Sequence, residues 1–347
     1  MKWIVGVIFL LLLNLIVERQ YVFTDSFTIE DTEIWNKITT QKTVIIKAAV
    51  DRLRDGDTSA WLSEAVPMIW YSADEKFPPS DPAELLNFTE LWYREVNPHF
   101  PFWTASEKRV ALGETVDSHS PNDVVTRLFE RGGINNGTAG FEYRYDAGQK
   151  LQSPAPLLWR LSLSPLFAEI QPDNPKRALV PVEFWYHSAY NYTGIYFGNH
   201  FGDWESFLIL FAVNEIAGAA EIKPVAYNTS AHGGGTWHCK KDLLFENGRL
   251  QLFSATGTHA TYAAPGVHFN GLYPDTARRE KSWPAYDYLR PLVREPYYGF
   301  SGSWGATSFV HWMNGPLPPG PKFKYLPRIE AGKARAQWND FIASCPL

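Results

Sequence analysis

Several sequence signatures that would identify a common enzyme class are missing from this chain of 347 residues. It contains no Gly-x-Ser-x-Gly elbow, no Gly-x-x-x-x-Gly-Lys-Ser/Thr phosphate loop and no Gly-x-Gly-x-x-Gly dinucleotide turn. Internal repeats, low-complexity tracts and clusters of Lys and Arg with interleaved aromatics are also missing, and the net charge is only −5. These absences argue against a serine hydrolase, an NTPase, a dinucleotide-dependent enzyme and a nucleic-acid-binding protein.

Cysteine is scarce, with only Cys239 and Cys345 in the chain. Their separation excludes a Cys-x-x-Cys metal knuckle or redox motif. In an oxidising compartment, two cysteines pair more often than they stay free. The sequence therefore predicts one disulfide, with its Cα atoms about 4.4–6.8 Å apart.

The longest hydrophobic run is short and lies at the N-terminus. Residues 3–17 are apolar except for Asn14 and follow Lys2. Their length is typical of a signal peptide, since a membrane span needs roughly 17–25 residues. No Ala-x-Ala-like cleavage site follows, so residues 1–20 read as a signal peptide or as an uncleaved signal anchor. Both place the body in the secretory pathway, where it would be lumenal, vacuolar, secreted or held by a single-pass anchor.

Glycosylation sequons agree with that compartment. Four Asn-x-Ser/Thr sequences begin at Asn87, Asn136, Asn191 and Asn228. The chain is therefore expected to be a glycoprotein. Asn87 and Asn136 are the better acceptors, because they lie in Pro-rich and Gly-rich loop sequence.

Composition favours strands over helices. The chain has 14 Trp, 17 Tyr, 25 Gly and 25 Pro, and 45% of its residues are hydrophobic. Aromatic residues are enriched in strands, and scattered Gly and Pro separate short strands. We predict a mostly β fold, an antiparallel β-sandwich with long loops, a short N-terminal helix within Thr39–Leu53 and a closing helix over Ala331–Ser344. The expected division is a targeting segment (1–20), a helical collar (21–60) and a β-sandwich domain (61–347).

The most informative motif is the sequence HFGDWE over residues 200–205, which enters an apolar strand. Side chains alternate along a strand, so Asp203 and Glu205 point to one side while Trp204 points into a core on the other. His200 lies in the turn before the strand, where Gly202 lets the backbone bend. An imidazole and two carboxylates can then converge on a divalent cation, with Mg, Mn or Ca favoured over Zn.

Two further strand-like runs also end in a histidine beside glycine. Residues 222–228 lead to His232, and residues 250–255 lead to His259. If these strands neighbour the first one, the three histidines meet at one rim. His187, beside Trp185, is instead expected to be a core or rim histidine, and His268 is not expected at the site.

These segments resemble the fungal vacuolar protein sorting-associated sixty-two family. The likeness is strongest over 197–205 (FGNHFGDWE), extends from about residue 65 to the C-terminus, and includes 68–81 (MIWYSADEKFPPSD), 231–234 (AHGG), 256–262 (TGTHATY) and 302–305 (GSWG). The His-x-x-Asp-Trp-Glu spacing is also similar to that of necrosis-inducing, ethylene-inducing-peptide-like toxins, in which it holds a divalent cation on a β-sandwich.

The resemblance also bears on Asn191, which matches the family's Tyr-Asn pair before the histidine motif. A side chain that carries a glycan cannot also reach a metal rim. We therefore predict that Asn191 is unglycosylated and joins His200, Asp203 and Glu205 as a metal ligand through its amide oxygen, directly or through water.

Two functions follow from this set of residues. The first is a secretory-pathway metal-binding protein that acts in vacuolar or secretory traffic, as the family name implies, or that binds an anionic lipid or a glycan. The alternative is a metal-dependent enzyme, a hydrolase or one that modifies a small molecule, in which His232 or His259 acts as general acid or base. The sequence leaves the choice open.

Overall fold

The computed structural model describes residues 31–55, 60–97, 100–110, 139–145, 151–162, 164, 166–192, 199–231, 234–269, 274–295, 297–298, 303–304 and 331–345. The predicted targeting segment, part of the predicted collar and His232 lie outside these residues. Strands dominate the described part, with short helices before and after them. The predicted mostly β fold is therefore confirmed.

The secondary-structure elements are as follows. The helices are α1 (Asp31–Thr39), α2 (Val44–Arg54), α3 (Ala60–Ala65), α4 (Pro82–Leu86), α5 (Leu166–Glu169) and α6 (Ala331–Ser344), with 3₁₀ turns at Lys240–Asp242, Ala285–Tyr288 and Leu292–Arg294. The strands are β1 (Met68–Tyr71), β2 (Pro79–Ser80), β3 (Thr89–Asn97), β4 (Phe100–Val110), β5 (Ala139–Tyr145), β6 (Leu157–Leu161), β7 (Arg177–Asn191), β8 (His200–Ile216), β9 (Ala219–Ala231), β10 (Gly234–His238), β11 (Phe245–Glu246), β12 (Arg249–Ser254), β13 (Thr261–Tyr262), β14 (Gly266–Phe269), β15 (Pro274–Ala277), β16 (Lys281–Trp283), β17 (Leu289–Pro291) and β18 (Ser303–Trp304).

A seven-stranded sheet forms the centre of the molecule. Its order is β10-β9-β8-β7-β6-β17, and β2 pairs with β7. Three long strands, β7, β8 and β9, run antiparallel and form most of its hydrogen bonds. Their apolar, aromatic and β-branched residues suit a sheet that is covered on both faces.

A second sheet packs on one face of the first. Its order is β11-β12-β1-β16, with β13 on β12. Side chains of both sheets share one hydrophobic core, to which β8 contributes Phe207 and Phe211 and the second sheet contributes Ile69 and Leu252. Strand pairing is mixed rather than purely antiparallel, because β1–β12, β6–β17 and β5–β18 are parallel.

The opposite face of the central sheet builds a second, aromatic core. Trp185, Trp204 and Trp304 are buried there together with Tyr297 and Leu292. Because alternate residues of a strand face opposite sides, Trp204 enters this core while its two neighbours on β8 point the other way. This arrangement agrees with the orientation that strand alternation predicts for Trp204.

The first helices pack on the main core. The Thr43 side chain accepts a hydrogen bond from the Ile46 N–H and caps α2. Ile46, Val50 and Leu53, spaced three or four residues apart, are buried against the sheets. The predicted helix within Thr39–Leu53 is thus observed as α2, with α1 before it.

None of the described helices is both long and apolar enough to cross a membrane. The division of the chain into domains stays a prediction.

One disulfide joins the central sheet region to the C-terminal helix. Cys239 follows β10 directly, Cys345 follows α6, and their Cα atoms are 5.8 Å apart. The predicted pairing and the predicted closing helix are both confirmed. Trp237 of β10 also packs edge-on against Trp338 of α6, so aromatic contacts and the disulfide fix the same junction.

The asparagines of the sequons differ in solvent exposure, and this difference predicts which of them carry a glycan. Asn228 is 1% exposed within β9 and Asn191 is 8% exposed at the end of β7, whereas Asn87 is exposed after α4. A glycan cannot leave a buried side chain without unfolding its strand. Glycopeptide mapping of the protein should find Asn87 occupied and Asn191 and Asn228 empty. High occupancy at either buried residue would contradict the strand placement. Asn136 lies outside the described residues.

Candidate functional site

The start of β8 places two carboxylates on the same face of the central sheet. Asp203 lies opposite Ser188 of β7, and Glu205 lies opposite Tyr186. Both side chains are buried, with Asp203 5% exposed and Glu205 8% exposed. The pKa of Tyr186 is raised, mainly by burial and further by the negative charges of Glu205 and Asp203. The two acids and the Tyr186 hydroxyl therefore share one buried environment.

His259 reaches this face from a tight turn after β12. Its backbone N–H donates to the Ala255 carbonyl at 3.0 Å, and its φ of 55° is in the left-handed region. Non-glycine residues adopt this conformation rarely, and mostly where the surroundings enforce it. Here the His259 carbonyl accepts hydrogen bonds from Tyr186 Oη at 2.5 Å and Ser254 Oγ at 3.3 Å.

The imidazole of His259 lies between two carboxylates. Its Nδ1 is 2.8 Å from Asp203 Oδ2, and its Nε2 is 3.4 Å from Glu75 Oε1. Burial alone would lower the pKa of His259, but the hydrogen bonds and charges of Asp203 and Glu75 raise it to about 10. His259 is therefore a buried imidazolium at neutral pH.

Glu75 is the acid that sequence reasoning did not select. Its side chain is 2% exposed, and the N–H groups of Gly257 and Phe77 donate to its two oxygens at 2.6 and 2.8 Å. Burial opposes ionisation, yet these bonds and the charge of His259 bring the pKa of Glu75 below its usual value. The sequence signal that could have identified Glu75 is its position in the 68–81 segment, one of the segments that resemble the family.

Gly257 contacts both the end of β7 and Glu75 from the His259 turn, and only glycine suits its position. Its φ is +77°, and a Cβ at this residue would collide with the Tyr192 carbonyl oxygen. Its own carbonyl accepts from the Tyr192 N–H at 2.8 Å. The glycine thus lets the His259 turn pack against the end of β7 while its N–H holds Glu75.

His200 and Asn191 form a pair at the same end of β7 and β8. They are register partners, and Asn191 Nδ2 lies 3.0 Å from His200 Nε2. Burial lowers the pKa of His200, although the charge of Asp203 opposes that effect. A neutral ring that carries its proton on Nδ1 can donate to the Phe201 carbonyl, 3.4 Å away, and accept from Asn191.

The donor types in this region suit a hard cation, but their present positions do not form a coordination sphere. Carboxylates, an amide and an imidazole are appropriate ligands for Mg, Mn or Ca. Among the described residues, however, no three His, Cys, Asp or Glu side chains converge closely enough to hold a metal ion. One reason is that His259 engages Asp203 and Glu75, while Asn191 engages the ring nitrogen of His200. The metal site stays a prediction.

The other histidines considered in the sequence differ in their surroundings. His187 is buried against Trp204 and Trp304, with Nδ1 3.1 Å from Ser80 Oγ, and burial lowers its pKa to about 3. It is a core histidine, as expected. His268 stacks on Tyr262, and its Nε2 lies 3.0 Å from the Ala264 carbonyl. The predicted catalytic residue His232 is outside the described residues.

Comparison with known proteins agrees with the motif resemblance. The chain is 28% identical over 197 residues to vacuolar protein sorting-associated protein 62 of Saccharomyces cerevisiae, a match that covers 43% of this chain and 40% of the relative. It is 27% identical over 202 residues to the putative vacuolar protein sorting-associated protein TDA6 of the same yeast, covering 43% and 41%. The resemblance predicted from the motifs is confirmed.

These matches are partial. The aligned region spans about two fifths of the length of each curated relative. No family model and no solved structure matches the chain.

Proposed function

We propose that this chain is a binding protein of the vacuolar and secretory route that takes a divalent cation together with an anionic lipid head group or glycan. The route is supported by the names of both relatives, which are vacuolar protein sorting-associated proteins. It is also supported by the Cys239–Cys345 disulfide, since such bonds persist in oxidising compartments. The sequons and the apolar N-terminal segment agree with it.

The observation that carries the binding proposal is the set of buried acids around a single imidazolium. Asp203 and Glu75 contact His259, and Glu205 lies on the same face of β8 as Asp203. Within this set, three carboxylates surround one imidazolium. Buried carboxylates favour a further bound positive charge. His200, Asp203, Glu205 and Asn191 would hold the cation, which would supply a positive site for an anionic oxygen.

The geometry favours binding over catalysis. A general base needs an unprotonated nitrogen within reach of substrate, and a general acid needs a pKa near the working pH. Both ring nitrogens of His259 face carboxylates, and its pKa is raised to about 10. His259 is better suited to position Asp203 than to move a proton. A metal-dependent hydrolase would therefore depend on another group, such as His232.

A metal titration of the full chain tests the proposal. Native mass spectrometry with Ca²⁺, Mg²⁺ or Mn²⁺ should show one bound ion for the wild type and at least tenfold weaker binding for Glu205→Gln. Asp203→Asn should lose binding too, but it also disturbs His259, so Glu205→Gln is the cleaner variant. Asp287→Asn, at an exposed acid in a 3₁₀ turn, is the control. Equal binding by Glu205→Gln and Asp287→Asn, or none by the wild type, would refute the cation site.

A further inference from the structure

The hydroxyl of Ser188 is a buried polar group to which the folded chain supplies no partner. Ser188 lies on β7 and is 0% exposed, and its Oγ makes no hydrogen bond. Burial of a hydroxyl without a partner is unfavourable, so a folded protein that keeps such a group calls for an explanation. The neighbours of this hydroxyl indicate what it binds.

Strand pairing places Ser188 beside the carboxylate of Asp203. The two residues are register partners across β7 and β8. Directly opposed residues of an antiparallel pair project to the same face of the sheet, with Cβ atoms about 4.5–5.5 Å apart. Glu205 shares that face, two residues further along β8. On its other side Ser188 pairs with Pro79 of β2, so its backbone is held between two strands.

Two polar groups on the same face already have other partners. Tyr186 Oη lies 2.5 Å from the His259 carbonyl oxygen and 3.0 Å from Thr261 Oγ1. Asp203 accepts a hydrogen bond from His259 Nδ1 through Oδ2, at 2.8 Å. The site thus keeps an unused serine hydroxyl next to a carboxylate that a single oxygen links to the imidazolium.

The opposite face of the sheet holds a second serine that serves as a comparison. Ser206 is also 0% exposed and its Oγ also makes no hydrogen bond, but its register partner is Trp185. The buried carboxylate on that face, Glu183, is balanced by Arg160 at 2.9 Å. On the Ser188 face, three carboxylates of the candidate site surround one imidazolium. Excess negative charge therefore favours a cation beside Ser188 and not beside Ser206.

We propose that Ser188 is a further ligand of the cation site, and that its hydroxyl oxygen binds the ion together with Asp203 and Glu205. This inference rests on the proposed function, because it requires that the site takes a cation. A serine hydroxyl is a hard, uncharged ligand of the type that holds Mg²⁺ in phosphate-loop proteins. It adds an oxygen without adding to the repulsion between the acids. A set of ligands made mainly of oxygen selects Mg, Mn or Ca over a soft metal such as Cd.

The metal affinity of serine variants tests this assignment. In Mn²⁺ titrations of the full chain followed by native mass spectrometry, Ser188→Ala should bind the ion at least about tenfold more weakly than the wild type. Ser206→Ala should bind it like the wild type. Each substitution removes one buried hydroxyl without a partner, so with a chelator both variants should unfold at about the same denaturant concentration as the wild type. A loss of affinity confined to Ser188→Ala then reports a ligand and not a damaged fold.

A change of metal preference distinguishes direct ligation from an indirect effect. Ser188→Cys keeps nearly the same shape but replaces a hard oxygen with a soft sulfur. It should bind Mg²⁺ more weakly and Cd²⁺ more tightly than the wild type, and Ser206→Cys should change neither. An unchanged metal preference of Ser188→Cys would overturn the proposal.

The same titrations separate a failure of this proposal from a failure of the proposed function. Equal Mn²⁺ affinities of Ser188→Ala and Ser206→Ala, with binding by the wild type and a loss in Glu205→Gln, would overturn the role of Ser188 and leave the cation site standing. A wild type that binds no cation would overturn both.

Discussion

Replacing His259 with Gln is expected to lower the free energy of unfolding by about 3–5 kcal/mol. The substitution removes the imidazolium that lies 2.8 Å from Asp203 and 3.4 Å from Glu75, and it leaves both carboxylates buried beside a neutral group. The measurement is chemical denaturation at neutral pH of the disulfide-bonded protein. His268→Gln, at a histidine stacked on Tyr262 outside the site, is the matched control and should lose less than about 1 kcal/mol. A small loss in both variants would show that His259 does not balance the two acids.

The pH dependence of stability gives a second measure of the same contact, and it is best recorded with a chelator present. The pKa of His259 is raised from 6.5 to about 10, so its stabilising contribution is complete below pH 6.5 and is lost as pH rises towards 10. The pKa of Glu75 is lowered, so its contribution is lost when pH falls from about 4.5 through that lower value. The wild type should therefore lose stability between pH 6.5 and 10 relative to His259→Gln. Parallel curves for the two proteins would contradict a charged His259.

Replacing Trp204 with Ala is expected to lower the free energy of unfolding by about 3–5 kcal/mol, for a different reason. Trp204 is fully buried, and its ring lies 5.0 Å from Trp304 and 4.9 Å from His187 between centroids. Removing it leaves a cavity in the second core. The measurement is again denaturant unfolding, and Trp204→Phe should lose less because part of the ring volume remains. Since Trp204 faces away from Asp203, cation binding by the remaining folded protein should be unchanged. A loss below about 1 kcal/mol would mean that this core does not depend on Trp204.

The sequence predicted which faces of β8 Asp203, Trp204 and Glu205 occupy, because strand alternation is a local rule. Once residues 203–213 form a strand, Asp203 and Glu205 must share a face and Trp204 must oppose them. The predicted strand core, 207–213, is extended in the structure to His200–Ile216, so His200 is the first residue of the strand and the prediction that it lies in a turn before the strand was wrong. The closing helix and the disulfide were also predictable, from periodicity and from the presence of just two cysteines.

The central contact of the site was not predictable, because it depends on tertiary packing. Glu75 lies 184 positions before His259 in the sequence, and the two meet because β1 pairs in parallel with β12 in the second sheet. Parallel pairing between strands so distant leaves no local sequence pattern. The raised pKa of His259 also depends on its burial between two acids, which no local pattern shows, and its part as a general acid or base stays a prediction.

The structure shows where Asn191 lies, but it does not test the prediction that Asn191 is a metal ligand. It lies beside His200 and is buried, as a site residue would be. Its amide nitrogen contacts the histidine ring, and its part as a metal ligand stays a prediction. The sequence identified the residue from its place before the motif, whereas the orientation of its amide depends on hydrogen bonding in the folded protein.

The measurement that tests the central claim most directly is anomalous X-ray diffraction from crystals of the protein soaked in Mn²⁺. We expect one strong anomalous peak within bonding distance of Asp203, Glu205 and His200, with His259 still in contact with the second oxygen of Asp203. The same crystals of Glu205→Gln should show no peak or a much weaker one. An absence of manganese from wild-type crystals, with His259 bridging Asp203 and Glu75 unchanged, would contradict the cation site and leave the buried imidazolium as a purely structural element.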